Sequence, residues 1–157
     1  MPRRNRYEIN YARIETLLGR RLAGLRMGDC IRLKAPGFMD LVCEALWPCD
    51  TTGATVLSLA HYFEQNGDLC QDPEVTVRLF HPGSSEHLAM VPSADSEHGR
   101  AEALSFQQAI PPVYHVVYPQ PDRYRPRLRL RRELNHFLGQ WLRNLEQQGH
   151  RPAHPAH

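Results

Sequence analysis

The chain has 157 residues and a mass of 18.1 kDa, which is the size of one ordinary domain with a single core. Apolar residues make up 41% and charged residues 23%, a balance typical of a folded globular protein and not of a disordered one. The sequence has no apolar run near the roughly 18 residues of a membrane-spanning helix. No apolar region with a small-residue cleavage site follows Met1, so we expect no secretion. We therefore expect a cytoplasmic protein without a membrane partner.

The net charge of +2 conceals an uneven distribution along the chain. Residues 1–27 hold seven Arg and two Glu, and residues 111–157 hold eight Arg and three acids, so each end carries +5. Residues 28–110 hold four bases and twelve acids, which gives −8. Two interpretations follow: the basic ends bind a nucleic acid or an acidic protein, or they fold back and neutralise the acidic middle.

Apolar residues recur at three- and four-residue steps over residues 7–25, and this spacing predicts a helix. After Gly28 the period changes to two, and strands are predicted over residues 30–34, 38–47, 54–63 and 75–81. Residues 64–74 are polar and are expected to connect two of these strands. Because no helix intervenes, the strands should form an antiparallel meander.

Residues 82–100 are polar and rich in turn residues, which predicts a mobile insertion. A fifth strand over 101–108 and an edge segment over 113–118 should follow. The last element is a strong amphipathic helix that ends at Gly149, with residues 150–157 as a disordered tail. Its apolar face is formed by Leu130, Leu134, Phe137, Leu138, Trp141, Leu142 and Leu145. The prediction is a single α+β domain over residues 1–149, a meander of about five strands flanked by an N-terminal and a C-terminal helix.

We predict no catalytic residues, but candidate metal ligands lie around the predicted turn at 64–74. His61, Glu64, Asp68 and Asp72, with Glu74 nearby, offer the ligands that a metal ion takes, although Asn-Gly-Asp and Asp-Pro are also ordinary turn sequences. The four cysteines lack a C-x-x-C pair, which favours free thiols over a zinc site. They are Cys30, Cys43, Cys49 and Cys70.

A nucleophile–base pair is a second catalytic alternative, because Cys43, Cys49 or Cys70 could meet His61 or His81 in the fold. Together these residues define one hypothesis, a small metal-dependent or His/carboxylate hydrolase that uses the 61–81 region. The chain has no dinucleotide fingerprint, phosphate loop or nucleophile elbow, and we predict no cofactor.

The densest charged segment is an arginine run over residues 123–132, with six Arg in ten residues. Arginine pairs bidentately with phosphate and stacks on bases, which favours an anionic partner. Positive charge near a helix start opposes the helix dipole, so an anion of this chain or of a partner should lie close. The candidate binding residues are Arg123, Arg125, Arg127, Arg129, Arg131 and Arg132. The leading hypothesis is a non-enzymatic binding or adaptor module whose partner is a nucleic acid or an acidic protein surface.

Four segments in this order resemble the YqiB-like family of small bacterial proteins, a family whose domain has no assigned function. They are residues 77–81 (VRLFH), 101–108 (AEALSFQQ), 118–121 (YPQP) and 133–142 (ELNHFLGQWL). Residues 82–100 look like an insertion relative to that family. The resemblance implies an α+β fold and a bacterial, cytoplasmic setting, and it supplies no catalytic residues.

Overall fold

The computed structural model describes residues 3–46, 54–82, 98–119 and 125–153. These residues form two α-helices, one short 3-10 turn and a seven-stranded sheet. The helices are α1 (Arg6–Leu18) and α2 (Leu128–Gln148), and the 3-10 turn is Gly19–Arg21. The strands are β1 (Cys30–Lys34), β2 (Leu41–Ala45), β3 (Thr55–Gln65), β4 (Asp68–Phe80), β5 (Arg100–Gln108), β6 (Val113–Val116) and β7 (Arg151–Pro152).

The sheet is antiparallel, with the strand order β6-β5-β4-β3-β2-β1-β7. Its first six strands are neighbours in the order of the chain, so the predicted α+β class and the antiparallel meander are confirmed. The predicted number of about five strands is wrong. The structure adds the short edge strand β6 and the two-residue strand β7, which returns after α2 and pairs with β1.

The hairpin between β3 and β4 replaces most of the polar connection that the sequence predicts over 64–74. Asn66 and Gly67 form a two-residue turn with φ angles of 54° and 85°. Such a turn needs positive φ at both positions, which Asn and Gly tolerate best. β4 therefore begins at Asp68, and its polar first half forms a ladder with the end of β3.

One face of the sheet and both helices enclose the hydrophobic core. Alternate strand residues such as Leu57, Leu59, Val77 and Leu79 point into it. The predicted apolar face of α2 is confirmed, although Phe137 is only half-buried. Its buried members are Leu134, Leu138, Trp141, Leu142 and Leu145. None of the helices that the structure describes is long and apolar enough to cross a membrane.

The helix α1 is shorter than the 7–25 span predicted from its apolar spacing. It ends where Gly19 adopts a φ of 59°, and the chain continues as the 3-10 turn. Leu22 follows this turn and is still buried in the core, which explains why the periodicity extends beyond the helix.

The C-terminal segment is ordered further than predicted. Gly149 ends α2 in the left-handed conformation, as expected, and the backbone N–H of His150 then donates to the carbonyl oxygen of Leu145 at 3.1 Å. His150 is buried, and Arg151–Pro152 form β7, so a disordered tail that starts at 150 is wrong for these residues. Residues 154–157 lie outside the described residues, as do residues 83–97 of the predicted insertion.

Candidate anion-binding surface

The N-terminal parts of α1 and α2 run side by side and in the same direction. The Arg6 guanidinium donates to the carbonyl oxygen of Arg132 at 3.3 Å, and the Asn10 amide donates to that of Asn135 at 3.1 Å. One turn later, a Cβ atom added at Gly139 would lie 3.0 Å from Asn10 Oδ1. The two helix axes therefore approach closely, which brings the basic N-terminal and C-terminal segments of the sequence together.

Two adjoining depressions follow this helix pair, with volumes of about 490 Å³ and about 370 Å³. They share Arg6 and Asn135, and we call them together the helix groove. No aspartate or glutamate belongs to the described residues that line it. Seven arginines line it: Arg3, Arg4, Arg6, Arg13, Arg131, Arg132 and Arg143. The described lining of the groove therefore carries a concentrated positive charge.

The N-termini of α1 and α2, which lie at this end of the groove, are capped differently. In α1 a capping box is complete: the Asn5 side chain accepts from the Glu8 N–H at 3.0 Å, and Glu8 Oε1 accepts from the Asn5 N–H at 2.9 Å. In α2 the N-cap is Arg127, which makes no side-chain cap, and the first turn contains no acid. The partial positive charge of this helix start adds to that of the arginines.

The arginine run 123–132 is divided between several environments. Arg125, Arg127 and Arg129 are exposed, and Arg129 Nε donates to Glu133 Oε1 at 2.9 Å within the same helix. Arg131 and Arg132 line the groove, so the structure brings part of the run to one surface. Arg123 lies outside the described residues.

The acidic middle of the chain does not form salt bridges with the run in the part of the chain that the structure describes. The salt bridges there are Arg32–Asp40, Lys34–Asp40, Arg78–Glu102 and Arg129–Glu133. Among the described residues, the charges of Arg131 and Glu102 interact at longer range.

A buried polar network lies behind Arg131. Arg78 in β4 pairs with Glu102 directly across the ladder in β5, with Nε of Arg78 at 3.1 Å from Oε1 and Nη2 bonded to the same oxygen. The Tyr118 hydroxyl donates to the other carboxylate oxygen of Glu102, and Arg131 bonds to Tyr118. Burial and the neighbouring Glu102 charge raise the pKa of Tyr118, so the phenol stays protonated and acts as a donor.

The network links the groove to the interior of the sheet, and the strand pattern did not reveal it. Alternation along β4 and β5 predicts that Arg78 and Glu102 point away from the core side and into solvent, yet both are buried. The one available indication was their place in the segments 77–81, 101–108 and 118–121 that carry the family resemblance.

Asn135 fixes the position of α2 against the sheet. Its Oδ1 accepts from the Ala103 N–H at 2.8 Å, and its Nδ2 donates to the Arg131 carbonyl at 2.7 Å. Because β6 pairs only with Ser105–Gln108 of β5, Ala103 lies on a stretch of edge that no strand covers. The fully buried amide satisfies this edge and also places Arg131 and Arg132 at the groove.

The residues of the hydrolase alternative are spread over the β3–β4 hairpin. His61 is buried against Trp141, with ring centroids 5.5 Å apart, and its Nδ1 lies 2.8 Å from the carbonyl oxygen of Asp40. Burial lowers the pKa of His61. Glu64, Asp68 and Asp72 are exposed, and the described residues contain no group of three or more His, Cys, Asp or Glu that could hold a metal ion. The alternative gains no support from this arrangement and stays a prediction.

The three described cysteines lie in different environments. Cys43 is buried, and burial raises its pKa to about 12, which keeps it protonated. Cys30 is exposed and Cys70 is half-buried, and no disulfide joins the described cysteines. Cys49 lies outside the described residues.

Fold and groove thus define a small α+β domain with a seven-stranded antiparallel sheet and a basic surface on its paired helices. The chain belongs to the family of a domain of unknown function, DUF6908, whose model matches residues 10–151. Comparison with curated proteins and with solved structures gives no match. The match does not confirm the YqiB-like resemblance or a bacterial origin, and both stay predictions.

Proposed function

We propose that the protein is a non-enzymatic binding module for an anionic partner, and that nucleic acid is this partner. The carrying observation is the helix groove, in which seven arginines from two helices and the segment before α1 line one continuous surface without an acidic residue among its described lining. The groove is open along its length, which suits an extended partner better than an enclosed small molecule.

The chemistry of the lining favours phosphate as the recognised group. A guanidinium offers parallel N–H donors that match phosphate oxygens, and several in a row suit a repeated anion. Arg132 and Arg143 lie eleven residues apart on α2, or roughly 16 Å at 1.5 Å per residue, a distance that corresponds to about five phosphates of one strand. Contacts of this kind position a backbone and read little sequence.

The arginine run takes part in this surface through its last two members. Arg131 is held by Tyr118 from the interior side, and Arg132 is linked through its carbonyl to Arg6 of the facing helix. These contacts reduce the side-chain and backbone freedom that binding would otherwise have to remove. The remaining described members, Arg125, Arg127 and Arg129, flank the groove and strengthen its potential at longer range.

The test compares two variants that remove the same charge from different surfaces. The groove variant replaces Arg4, Arg132 and Arg143 by Gln, and the control variant replaces Arg20, Arg26 and Arg151, which are equally exposed but lie away from the groove. Fluorescence anisotropy with labelled single- and double-stranded oligonucleotides of two sequences gives the affinity between about 50 and 200 mM salt.

The groove variant should bind every oligonucleotide more weakly, and the slope of log K against log salt should fall by about one unit per lost contact. The control variant should keep most of the affinity and the slope. Equal losses in both variants would show that total charge and not the groove is responsible. If poly-glutamate binds the groove of the wild type while no oligonucleotide does, the partner is an acidic protein and the nucleic-acid proposal is wrong.

A further inference from the structure

Arg100 is a buried arginine whose guanidinium makes no salt bridge with an acid of the described residues. It begins β5, pairs across the ladder with Phe80 at the end of β4, and is 1% exposed. Its Nε and Nη2 atoms are buried and make no hydrogen bond. No salt bridge joins Arg100 to an acidic side chain among the described residues.

Arg78 lies on the neighbouring strand β4, two residues along the ladder from the position opposite Arg100. It shows how a buried arginine of this sheet can be paired with an acid of the chain. Its Nε and Nη2 both bond to Glu102, so its fork of two parallel donors is occupied by a carboxylate of the chain. At Arg100 the same two atoms are without a partner. This pair of donors matches two oxygens of one carboxylate or phosphate group.

Among the described residues around Arg100, arginines outnumber acids. Arg78 and Arg100 each lie 5.4 Å from the centroid of the Phe80 ring, and Arg131 is bonded to Tyr118 nearby in the network. Among the described residues, Glu102 is the one acid that forms hydrogen bonds in this network, and Tyr118 is neutral. Contact with an aromatic face compensates part of the charge of an arginine, but an unpaired buried cation stays unfavourable.

Glu8 on α1 is the other described residue with a buried atom that lacks a partner, its Oε2. No described salt bridge joins it to Arg100, and its Oε1 accepts from the Asn5 N–H in the capping box of α1. The chain therefore has a second acid in its interior, and a test of Arg100 has to separate neutralisation by Glu8 from an external anion.

We propose that Arg100 binds a small oxyanion, which presents two oxygens of one planar or tetrahedral group to Nε and Nη2. A carboxylate and a phosphate share this chemistry. The site lies at the junction of the end of β4 and the start of β5, apart from the helix groove, and does not depend on nucleic-acid binding there.

The experiment measures thermal unfolding in a chloride buffer during titration with inorganic phosphate or with acetate, at constant ionic strength. Wild type should show a saturable rise in Tm with at least one of these anions, because a ligand that binds the folded state stabilises it. Arg100→Met should abolish this response and should be at least as stable as wild type in chloride alone, since it removes an unpaired buried charge. Phosphate against acetate identifies the class of the anion.

Arg100→Lys keeps the charge without the fork and should weaken the anion about tenfold, which also covers the case in which Arg100→Met does not fold. Arg26→Gln, at an exposed residue outside the groove lining, should keep the full phosphate response, and Arg100→Met should keep the oligonucleotide affinity, so that failure of one proposal does not imply failure of the other. Equal responses in wild type and Arg100→Met would overturn the inference. So would a response that appears in Glu8→Gln and not in wild type, because Glu8 would then be the partner of Arg100.

Discussion

The Arg78–Glu102 pair and an exposed ion pair of the same chain differ in what their loss should cost. The side chains of Arg78 and Glu102 are 2% and 0% exposed, whereas those of Arg129 and Glu133 are 86% and 59% exposed. Both buried groups have given up their hydration, and Tyr118 supplies a further hydrogen bond to the carboxylate. Removal of one buried partner therefore leaves the other charge in the interior without its counter-ion.

Glu102→Gln should lower the free energy of unfolding by about 3–5 kcal/mol, because Arg78 stays charged and buried. Glu133→Gln is the matched control and should change it by about 0–1 kcal/mol, since its ion pair is solvated. Urea unfolding at neutral pH measures both. Small and equal changes in the two variants would contradict the buried network, since they would mean that water reaches Arg78.

His81 should make the stability of the protein depend on pH. Its Nδ1 lies 2.8 Å from the Tyr11 hydroxyl, and burial raises the pKa of Tyr11 to about 12, so the phenol donates to a neutral imidazole. Burial also lowers the pKa of His81 from its usual 6.5. Above 6.5 the ring is neutral in both states, but below 6.5 the unfolded chain takes up a proton that the folded protein takes up only at lower pH.

The free energy of unfolding should therefore fall as the pH drops below 6.5 toward the lowered pKa of folded His81. His81→Gln removes this titration and should flatten the profile in that window, whereas His136→Gln, at an exposed position, should leave it unchanged. Urea unfolding along a pH series provides the measurement. A profile that is equally steep in wild type and His81→Gln would assign the pH dependence to other groups, such as the buried His61.

At the scale of elements, α1 docks on β5 through a glycine. A Cβ atom added at Gly99 would overlap the Tyr11 ring, so the strand and the helix approach more closely than any other residue at 99 would permit. Gly24, in contrast, has nothing within 4 Å of an added Cβ and a φ that other residues adopt. The two positions allow the same substitution to be compared in a tight and in an open environment.

Gly99→Ala should cost about 1–3 kcal/mol of unfolding free energy, because the added methyl group forces α1 away from the sheet. Gly24→Ala should stay within about 0.5 kcal/mol. A double-mutant cycle with Tyr11→Leu should show that the two substitutions at 11 and 99 are not additive, since Leu makes room for the methyl group. Additive effects would mean that the helix does not rest on Gly99.

The sequence predicted those elements whose periodicity is set locally, and it missed those set by distant neighbours. The apolar face of α2 and the strand β3 follow from spacing within a single segment. The polar first half of β4 and the two residues of β7 carry no apolar pattern, and each becomes a strand because another strand lies beside it. The Arg78–Glu102 pair joins positions 24 residues apart, which no local pattern can show.

The candidate site was predicted only in part, because its residues come from segments that lie far apart in the sequence. The sequence shows the arginine run as one segment and the N-terminal arginines as a net charge over residues 1–27. Whether the two basic segments lie close together depends on how α1 and α2 pack. Asn10 and Asn135 make that contact, and neither residue stands out in the sequence. The N-terminal arginines that line the groove, Arg3 and Arg4 before α1 and Arg6 and Arg13 in it, were therefore counted as charge and not identified as binding residues.

At the scale of the whole molecule, the two basic ends lie next to each other and concentrate their charge on one surface. Repulsion between them is unfavourable, and the described salt bridges do not relieve it with the acids of the middle segment. A surface that keeps like charges together is an argument for a partner, because the anion of the partner supplies the compensation. The arginine run and the groove can be tested separately, because Arg125, Arg127 and Arg129 of the run do not line the groove.

A variant with Arg125, Arg127 and Arg129 replaced by Gln should lose less oligonucleotide affinity than the groove variant with Arg4, Arg132 and Arg143 replaced. Both variants lose three charges, but none of the first three lines the groove, and Arg129 is already paired with Glu133. The free energy of unfolding of the variant at 125, 127 and 129 should change little, since exposed charges contribute about 0–1 kcal/mol each. Anisotropy titrations and urea unfolding at low and high salt measure the two quantities. An affinity loss equal to that of the groove variant would place the partner over the start of α2. A stability loss that occurs only at low salt, where screening is weak, would show that the run neutralises the acidic middle of the chain.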